Sequence, residues 1–223
     1  MAGDCDSKTW DAFNHLMTCS DVERIRKVLA RHEFFKMSLE IPGDIVECGV
    51  FKGSGLLLWV KLLRIYCPAS AKRVIGFDTF GATPELSGDD AEKMTGLYQE
   101  SGLAQCVTAD QIERMVEDVT GRKDSCLLVP GDICKTARVY TEQFPGARIS
   151  LLHMDLDVEE PTVAALEALW PIVSRGGIIV FDEYAIHKWS ESRGVDKFFA
   201  NHPEVTLKTL PWVRTPSAYC IKP

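Results

Sequence analysis

The sequence has no long apolar run. Its longest, residues 55–60, falls far short of the roughly 20 residues a membrane helix requires. The N-terminus, Met-Ala-Gly-Asp-Cys-Asp, carries neither a basic nor an apolar leader stretch, so no signal peptide is expected and a cytoplasmic location is. Basic charge is scarce: 25 Lys and Arg stand against 32 Asp and Glu, for a net charge of −7. That balance suits neither the neutralising of nucleic-acid phosphates nor docking on an anionic membrane. Small-molecule chemistry stays open. The eight cysteines, at 5, 19, 48, 67, 106, 126, 134 and 220, include no Cys-x-x-Cys pair. Without a secretory signal they read as buried free thiols rather than disulfides or zinc ligands. Internal repeats and low-complexity tracts are also lacking. The hydrophobic fraction of 46% and charged fraction of 26% exclude disorder, collagen and coiled coil. One domain spanning 1–223 is expected from the length.

The apolar residues fall into a strand–helix rhythm. Ser20-Asp-Val-Glu23 has the capping-box form, and Val22, Ile25, Val28 and Leu29 recur at helical spacing. A helix is therefore predicted over 21–38, within a helical N-terminal segment 1–40. Strands are predicted at 45–50, 73–78, 126–130, 149–154 and 178–181. Helices are predicted at 53–66, 109–119, 136–144 and 161–170, the last starting on Pro161. Arg175-Gly-Gly177 reads as a turn. This alternation implies a mostly parallel α/β sheet covered on both faces. Near the end, 205–209 and 218–221 read as two strands with no helix between them, an antiparallel edge hairpin. Residues 79–108 break the rhythm. With Gly81, Pro84, Gly88, Gly96, Gly102 and several acids, this stretch is too long for a plain connection and is expected to act as a lid.

The first strand runs into Val46-Glu-Cys-Gly-Val-Phe-Lys-Gly-Ser-Gly55. Gly49 and Gly53 in this loop allow close backbone approach to a ligand. The loop lacks both the Lys-Ser/Thr of a P-loop and the G-x-G-x-x-G of a dinucleotide site. Glu47 would repel a pyrophosphate and attract a positively charged ligand such as S-adenosylmethionine. Asp78 ends the second strand, where an acid accepts from ribose hydroxyls. Asp132, in Pro130-Gly-Asp132, is placed to accept from an adenine amino group. Alone, each acid reads equally well as a helix cap or turn residue. Together at successive strand ends they outline the crevice where open α/β sheets bind ligands. His153-Met-Asp-Leu-Asp157 closes the fourth strand and Phe181-Asp-Glu183 the fifth. Their four carboxylates, Asp155, Asp157, Asp182 and Glu183, would repel one another unless a cation or protons sit among them. Hard oxygen ligands favour Mg2+ ahead of Mn2+ or Ca2+. His153 reads as a core residue and His187 as a candidate base. Trp189, Trp212, Phe80 and Tyr184 are the aromatic candidates for an acceptor pocket, with a core role as the plainer reading.

Residues from about 42 to 200 resemble the macrocin O-methyltransferase family, which includes aminocoumarin and sugar O-methyltransferases. The resemblance rests on Asp44-Ile-Val-Glu-Cys-Gly-Val-Phe-Lys-Gly53, Gly76-Phe-Asp-Thr-Phe80 and His153-Met-Asp-Leu-Asp-Val-Glu-Glu-Pro-Thr162. It continues through Arg175-Gly-Gly-Ile-Ile-Val-Phe-Asp-Glu-Tyr184 and Arg193-Gly-Val-Asp-Lys-Phe-Phe199. It implies a seven-stranded, Rossmann-like class I methyltransferase fold. It also implies S-adenosylmethionine as cofactor and magnesium-dependent methyl transfer to a hydroxyl, often on a sugar or glycosylated natural product. By this resemblance Asp155 corresponds to the first metal-ligand aspartate, Asp182 and Glu183 to an Asp-Asp pair, and Asp157 to the general base. Glu183 for the commoner Asp, and Val158-Glu159 for Leu-Tyr, are departures. The expected partner is a small hydroxylated acceptor, with a second copy of the chain left open and neither nucleic acid nor membrane expected. Two other classes stay open on the residues alone, an NAD-dependent dehydrogenase and a nucleotide-binding module without chemistry. The first lacks its glycine fingerprint and a convincing Tyr-Lys pair.

Overall fold

A computed structural model describes residues 7–81, 86, 88–100 and 107–223. Its strands are β1 Asp44–Cys48, β2 Val74–Asp78, β3 Cys126–Pro130, β4 Ile149–Met154, β5 Val173–Phe181 and β6 Ala218–Ile221. Its helices are α1 Ser7–Thr18, α2 Glu23–Ser38, α3 Ser54–Tyr66, α4 Gly88–Glu100, α5 Ala109–Thr120, α6 Ile133–Gln143, α7 Glu159–Leu169 and α8 Glu191–Phe199. The sheet order is β3-β2-β1-β4-β5-β6. The first five strands are parallel and β6 is antiparallel to β5.

Both faces of the sheet are covered, which is why the strands are continuous apolar runs. Every residue of β4 is buried. Alternate side chains enter opposite cores. Val46, Phe77, Leu152, Met154 and Phe181 pack with Ala137 and Tyr140 of α6 and Leu166 of α7. Ile45, Val74, Leu151 and Val180 pack the other way, with Phe34 and Phe35 of α2 and Leu56 and Trp59 of α3. The chain winds outward from β1 through β2 to β3, then returns to lay β4 on the other side of β1. That reversal opens a crevice at the carboxyl ends of β1 and β4, the usual ligand position in such sheets. The two ends are tied there, because the Asp155 N–H donates to the Cys48 carbonyl at 2.8 Å.

Several local expectations shift. Among the described residues the sheet has six strands, not seven. Only Lys208, in the 205–209 stretch, bridges to Tyr219. Pro203 and Pro211 bracket that stretch and remove the donors a longer ladder would need. Arg175-Gly-Gly177 is not a turn. It lies within the nine-residue β5, where Gly176 takes φ +79 and the register against β4 slips. Ser20 caps nothing on α2, and the Asp21 carboxylate instead accepts the Glu23 N–H at 2.8 Å. The full capping box sits at Thr108 and Gln111 on α5. Helix α7 starts at Glu159, two residues ahead of Pro161. The expected lid, 79–108, lies partly outside the described residues. Its described part contains α4, whose Asp90 accepts from the Ser190 hydroxyl at 2.5 Å. Of the eight cysteines, the six described ones are free thiols, and Cys5 and Cys106 lie outside the described residues. Among the described residues no helix is long and apolar enough to cross a membrane.

The two capping sequences give a contrast that urea unfolding can measure. Thr108→Ala removes a working cap and should cost about 1 kcal/mol. Ser20→Ala should leave the midpoint within error of the parent, because its hydroxyl satisfies no helix N–H.

Candidate active site

A cavity of about 600 Å³ opens at the carboxyl ends of β1, β2, β4 and β5, walled by α2 and the start of α3. The loop after β1 is shaped by its glycines. Gly49 takes φ +92, and a Cβ there would overlap the Asp155 carbonyl. Its bareness thus lets the loops after β1 and β4 touch. Gly53 takes φ +84, but its missing side chain makes room for Ile112 of α5, and it is not on the cavity wall. The Asp78 carboxylate organises the same loop. It accepts the N–H groups of Val50 at 2.8 Å, Phe51 at 2.9 Å and Phe80 at 2.8 Å. Phe51 and Phe80 are both held at positive φ. Three of the roughly four acceptor positions of the carboxylate are therefore occupied by backbone, leaving about one for a ligand. Asp132 is both a cap and a wall residue, accepting the Cys134 N–H at 3.0 Å while facing the cavity.

Below these residues lies a buried charge network. Glu47, 1% exposed, pairs with Arg31 of α2 at 3.1 Å. A second nitrogen of Arg31 stands 3.7 Å from Asp155, and the guanidinium lies over Trp59. Gly55 leaves the room this pair needs, since a Cβ there would overlap both Arg31 and Glu47. His153, expected as a plain core residue, is fully buried but bridges two acids. Its ring nitrogens lie 3.4 Å from Glu47 and 3.3 Å from Asp182, as ion-pair contacts longer than good hydrogen bonds. Lys27 of α2 reaches the other oxygen of Asp182 at 2.7 Å.

These contacts split the acids into two kinds. Burial alone would push Asp182 up, but His153 and Lys27 outweigh it and hold the group at about 2. Burial, with Asp182 beside it, pushes Asp155 up to about 7 against the pull of Lys27 and His153. Burial followed by Glu183 and Asp182 does the same to Asp157, also about 7. Glu183 rises to about 7 through burial, Asp182 and Asp155. The cluster holds more carboxyl groups than it has cationic partners. Buried oxygens of Glu47, Asp182 and Glu191 also lack any hydrogen-bond partner. Both features suit an added cation. His153, Asp155 and Asp182 each offer a ligand atom within 4.8 Å of the others, whereas Glu183, expected as a ligand, lies outside that set.

Not every expected residue joins the site. His187 is exposed and off the cavity wall. Of the four expected aromatics only Trp189 lines the cavity, whose wall also carries Phe51 and Phe77. Phe80 packs against the core, the Tyr184 hydroxyl donates to Asp196 at 2.9 Å, and Trp212 is partly exposed and off the cavity wall. Three residues went unread. Lys27 and Arg31 lie one turn apart on α2, between its apolar positions. Glu191 opens α8, fully buried, and accepts the Glu183 N–H at 2.9 Å. A signal for the pair was present, in that Arg24, Lys27 and Arg31 share one helical face.

The sequence pattern of the Macrocin-O-methyltransferase (TylF) family matches residues 5–210. The chain belongs to the macrocin-O-methyltransferase family. Within that family frame the curated relatives are distant. Over 151 residues the chain is 30% identical to 8-demethyl-8-(2,3-dimethoxy-alpha-L-rhamnosyl)-tetracenomycin-C 4'-O-methyltransferase of Streptomyces olivaceus, covering 66% of this chain and 54% of the relative. Over 185 residues it is 25% identical to demethyldecarbamoylnovobiocin O-methyltransferase of Streptomyces niveus, covering 80% and 66%. The chain thus spans about half to two thirds of the length of these relatives. The crystal structure of CalS11, calicheamicin methyltransferase, superposes with a TM-score of 0.77 at 27% identity, covering 96% of this chain and 85% of that one.

In this macrocin-O-methyltransferase family member, the raised carboxyls set a pH dependence of stability. Asp155, Asp157 and Glu183 titrate near 4 when unfolded and near 7 when folded. Folding binds their protons, so their contribution is fully present below about pH 4 and is lost as pH rises through 7. Asp182 runs the other way, but its contribution fades only as pH falls from about 4 towards 2. In metal-free buffer the protein should therefore unfold at lower urea at pH 8 than at pH 5.5. The combined Asp157→Asn and Glu183→Gln variant should narrow that gap, and a gap of undiminished size would contradict the assignment.

Proposed function

We propose that the chain is an S-adenosylmethionine-dependent O-methyltransferase that methylates a hydroxyl of a sugar or glycosylated natural product, assisted by a divalent cation. The observation that carries this reading is that one cavity wall gathers Glu47, Asp78, Asp132, Asp155, Asp157, Asp182 and Glu183 at the β1/β4 switch point. The family match and the glycosylated compounds named in the relatives support the reaction and the acceptor class. No feature of the site favours the dehydrogenase.

In this reading the two ends of the cavity divide the work. Glu47, steadied by Arg31, offers an unpaired oxygen towards a cationic group of the cofactor. Asp78 and Asp132 close the wall where a ribose and a base would lie. Asp155 and Asp182 would hold the cation, which supplies Lewis acidity that lowers the pKa of a bound hydroxyl. Asp157 takes the proton. It sits just past β4 at φ +65, and its backbone carbonyl accepts the Glu191 N–H at 3.1 Å, which anchors the residue. Its carboxyl is held at about 7 by burial, Glu183 and Asp182, which makes it a better proton acceptor near neutral pH than an ordinary carboxylate.

Two substitutions separate binding from chemistry. Asp157→Asn should lower kcat by about 10²- to 10⁴-fold, the usual share of a general base, and leave S-adenosylhomocysteine affinity by calorimetry unchanged. Glu47→Gln should do the reverse, weakening the cofactor product without a comparable fall in kcat at saturation. EDTA should abolish turnover and spare cofactor binding. Undiminished kcat in Asp157→Asn would remove Asp157 from the reaction, and full turnover in excess chelator would remove the cation.

A further inference from the structure

Lys27 holds a place that the proposed cation would claim. Its ammonium lies 2.7 Å from Asp182 Oδ2, and Asp182 is buried at the end of β5. The opposite oxygen, Oδ1, faces His153 at 3.3 Å. Both oxygens of a main candidate ligand are thus already turned to the protein's own cationic or polar groups. Nor is the lysine's position accidental to a wandering surface chain. One turn on, Arg31 is pinned by Glu47, Asp155 and the Trp59 ring, so the helix carries Lys27 to Asp182 in a set register. The lysine side chain keeps 27% of its surface exposed and lines the cavity, with Arg24 and Val28 above it on the same helix. A path outward therefore exists along the cavity wall.

A divalent ion ligated by Asp182 Oδ2 at about 2.1 Å would stand no more than about 5 Å from the ammonium. Like charges that close repel by several times the thermal energy even at an effective dielectric of about 20. The two cannot share the oxygen. A lysine is well suited to leave, because its compact, strongly hydrated ammonium rides on a flexible four-carbon stem. An arginine would hold the carboxylate by a two-pronged contact.

We propose that Lys27 is the resident counter-ion of the carboxylate site, neutralising Asp182 when the site is ion-free and swinging off it when a divalent cation enters. This inference rests on the divalent-cation reading above. It gives ion uptake the character of an exchange: one protein cation leaves as the metal cation arrives. It also gives Asp182 a partner in the ion-free fold, so the buried acid is not left alone before an ion binds.

The test is a charge series at one position, read by calorimetric titration of Mg2+ and by electron paramagnetic resonance of Mn2+. Thermal unfolding of the ion-free proteins runs alongside. Removing the competitor in Lys27→Met should tighten ion binding about tenfold, the order expected for relief of one close like charge. The same variant should melt at lower temperature than the parent without ions and gain more from added ions. Lys27→Arg keeps the charge and grips harder, so it should bind ions several-fold more weakly. It also serves as the folded control if Lys27→Met proves too unstable to titrate. Unchanged or weaker binding in Lys27→Met, or unchanged or tighter binding in Lys27→Arg, with the parent binding normally, overturns the exchange and leaves the cation reading standing. No uptake by any of the three proteins at millimolar ion overturns both.

Discussion

Buried negative charge is the constraint on which the rest depends. A parallel sheet that reverses direction between β1 and β4 brings strand ends together at one point, and here those ends carry Glu47, Asp155, Asp157, Asp182 and Glu183. Carboxylates taken out of water are tolerated only when paired or protonated. Two of the acids take their cationic partners from one helix. Helix α2 lays Arg31 against Glu47 and Lys27 against Asp182, and so the first long helix is fixed over the cavity by the acids it neutralises. The phenylalanines on the same helix, Phe34 and Phe35, anchor its far half in the core. Packing and electrostatics thus specify one orientation for α2.

His153 gives the network its continuity. It stands between the acid of the first strand and the acid of the fifth, and its ring packs edge-on against Trp59. Burial and Arg31 push its pKa down, yet the two carboxylates outweigh them and raise it. The floor of the cavity is thus one chain of contacts from Arg31 through Glu47 and His153 to Asp182 and Lys27. The two halves of the site, one proposed for a cofactor and one for a cation, share that chain and do not titrate independently.

The fold was largely legible because its strands are buried on both faces. Runs such as Ile149 to Met154 have no other plausible place than the centre of a sheet, and β4 lies where the run predicts it. What failed to show was anything decided by a neighbour. The Gly176 kink reads locally as a turn, and only the adjacent β4 turns it into a bulge within a strand. The 205–209 stretch has strand composition, but β6 offers it a single bridge. The acids of the site were legible because carboxylates at strand ends are conspicuous. Their cations were not, since Lys27 and Arg31 look like solvated helix charges until α2 is laid across the sheet. Glu191 hid for the same reason: it stands at the start of an amphipathic helix, where an acid is expected as ordinary dipole complement.

Gly55 ties these parts together in evolutionary terms. It sits in the first turn of α3, where replacing glycine with alanine is normally a small gain for a helix. Here the added methyl would occupy the space of the Arg31–Glu47 pair. A lineage cannot acquire that gain while keeping the pair, and losing one partner alone would strand a buried charge. Arg31, Glu47 and Gly55 are therefore a triplet that drifts together or not at all. Relatives lacking the helix arginine should have lost the demand for glycine in the same step.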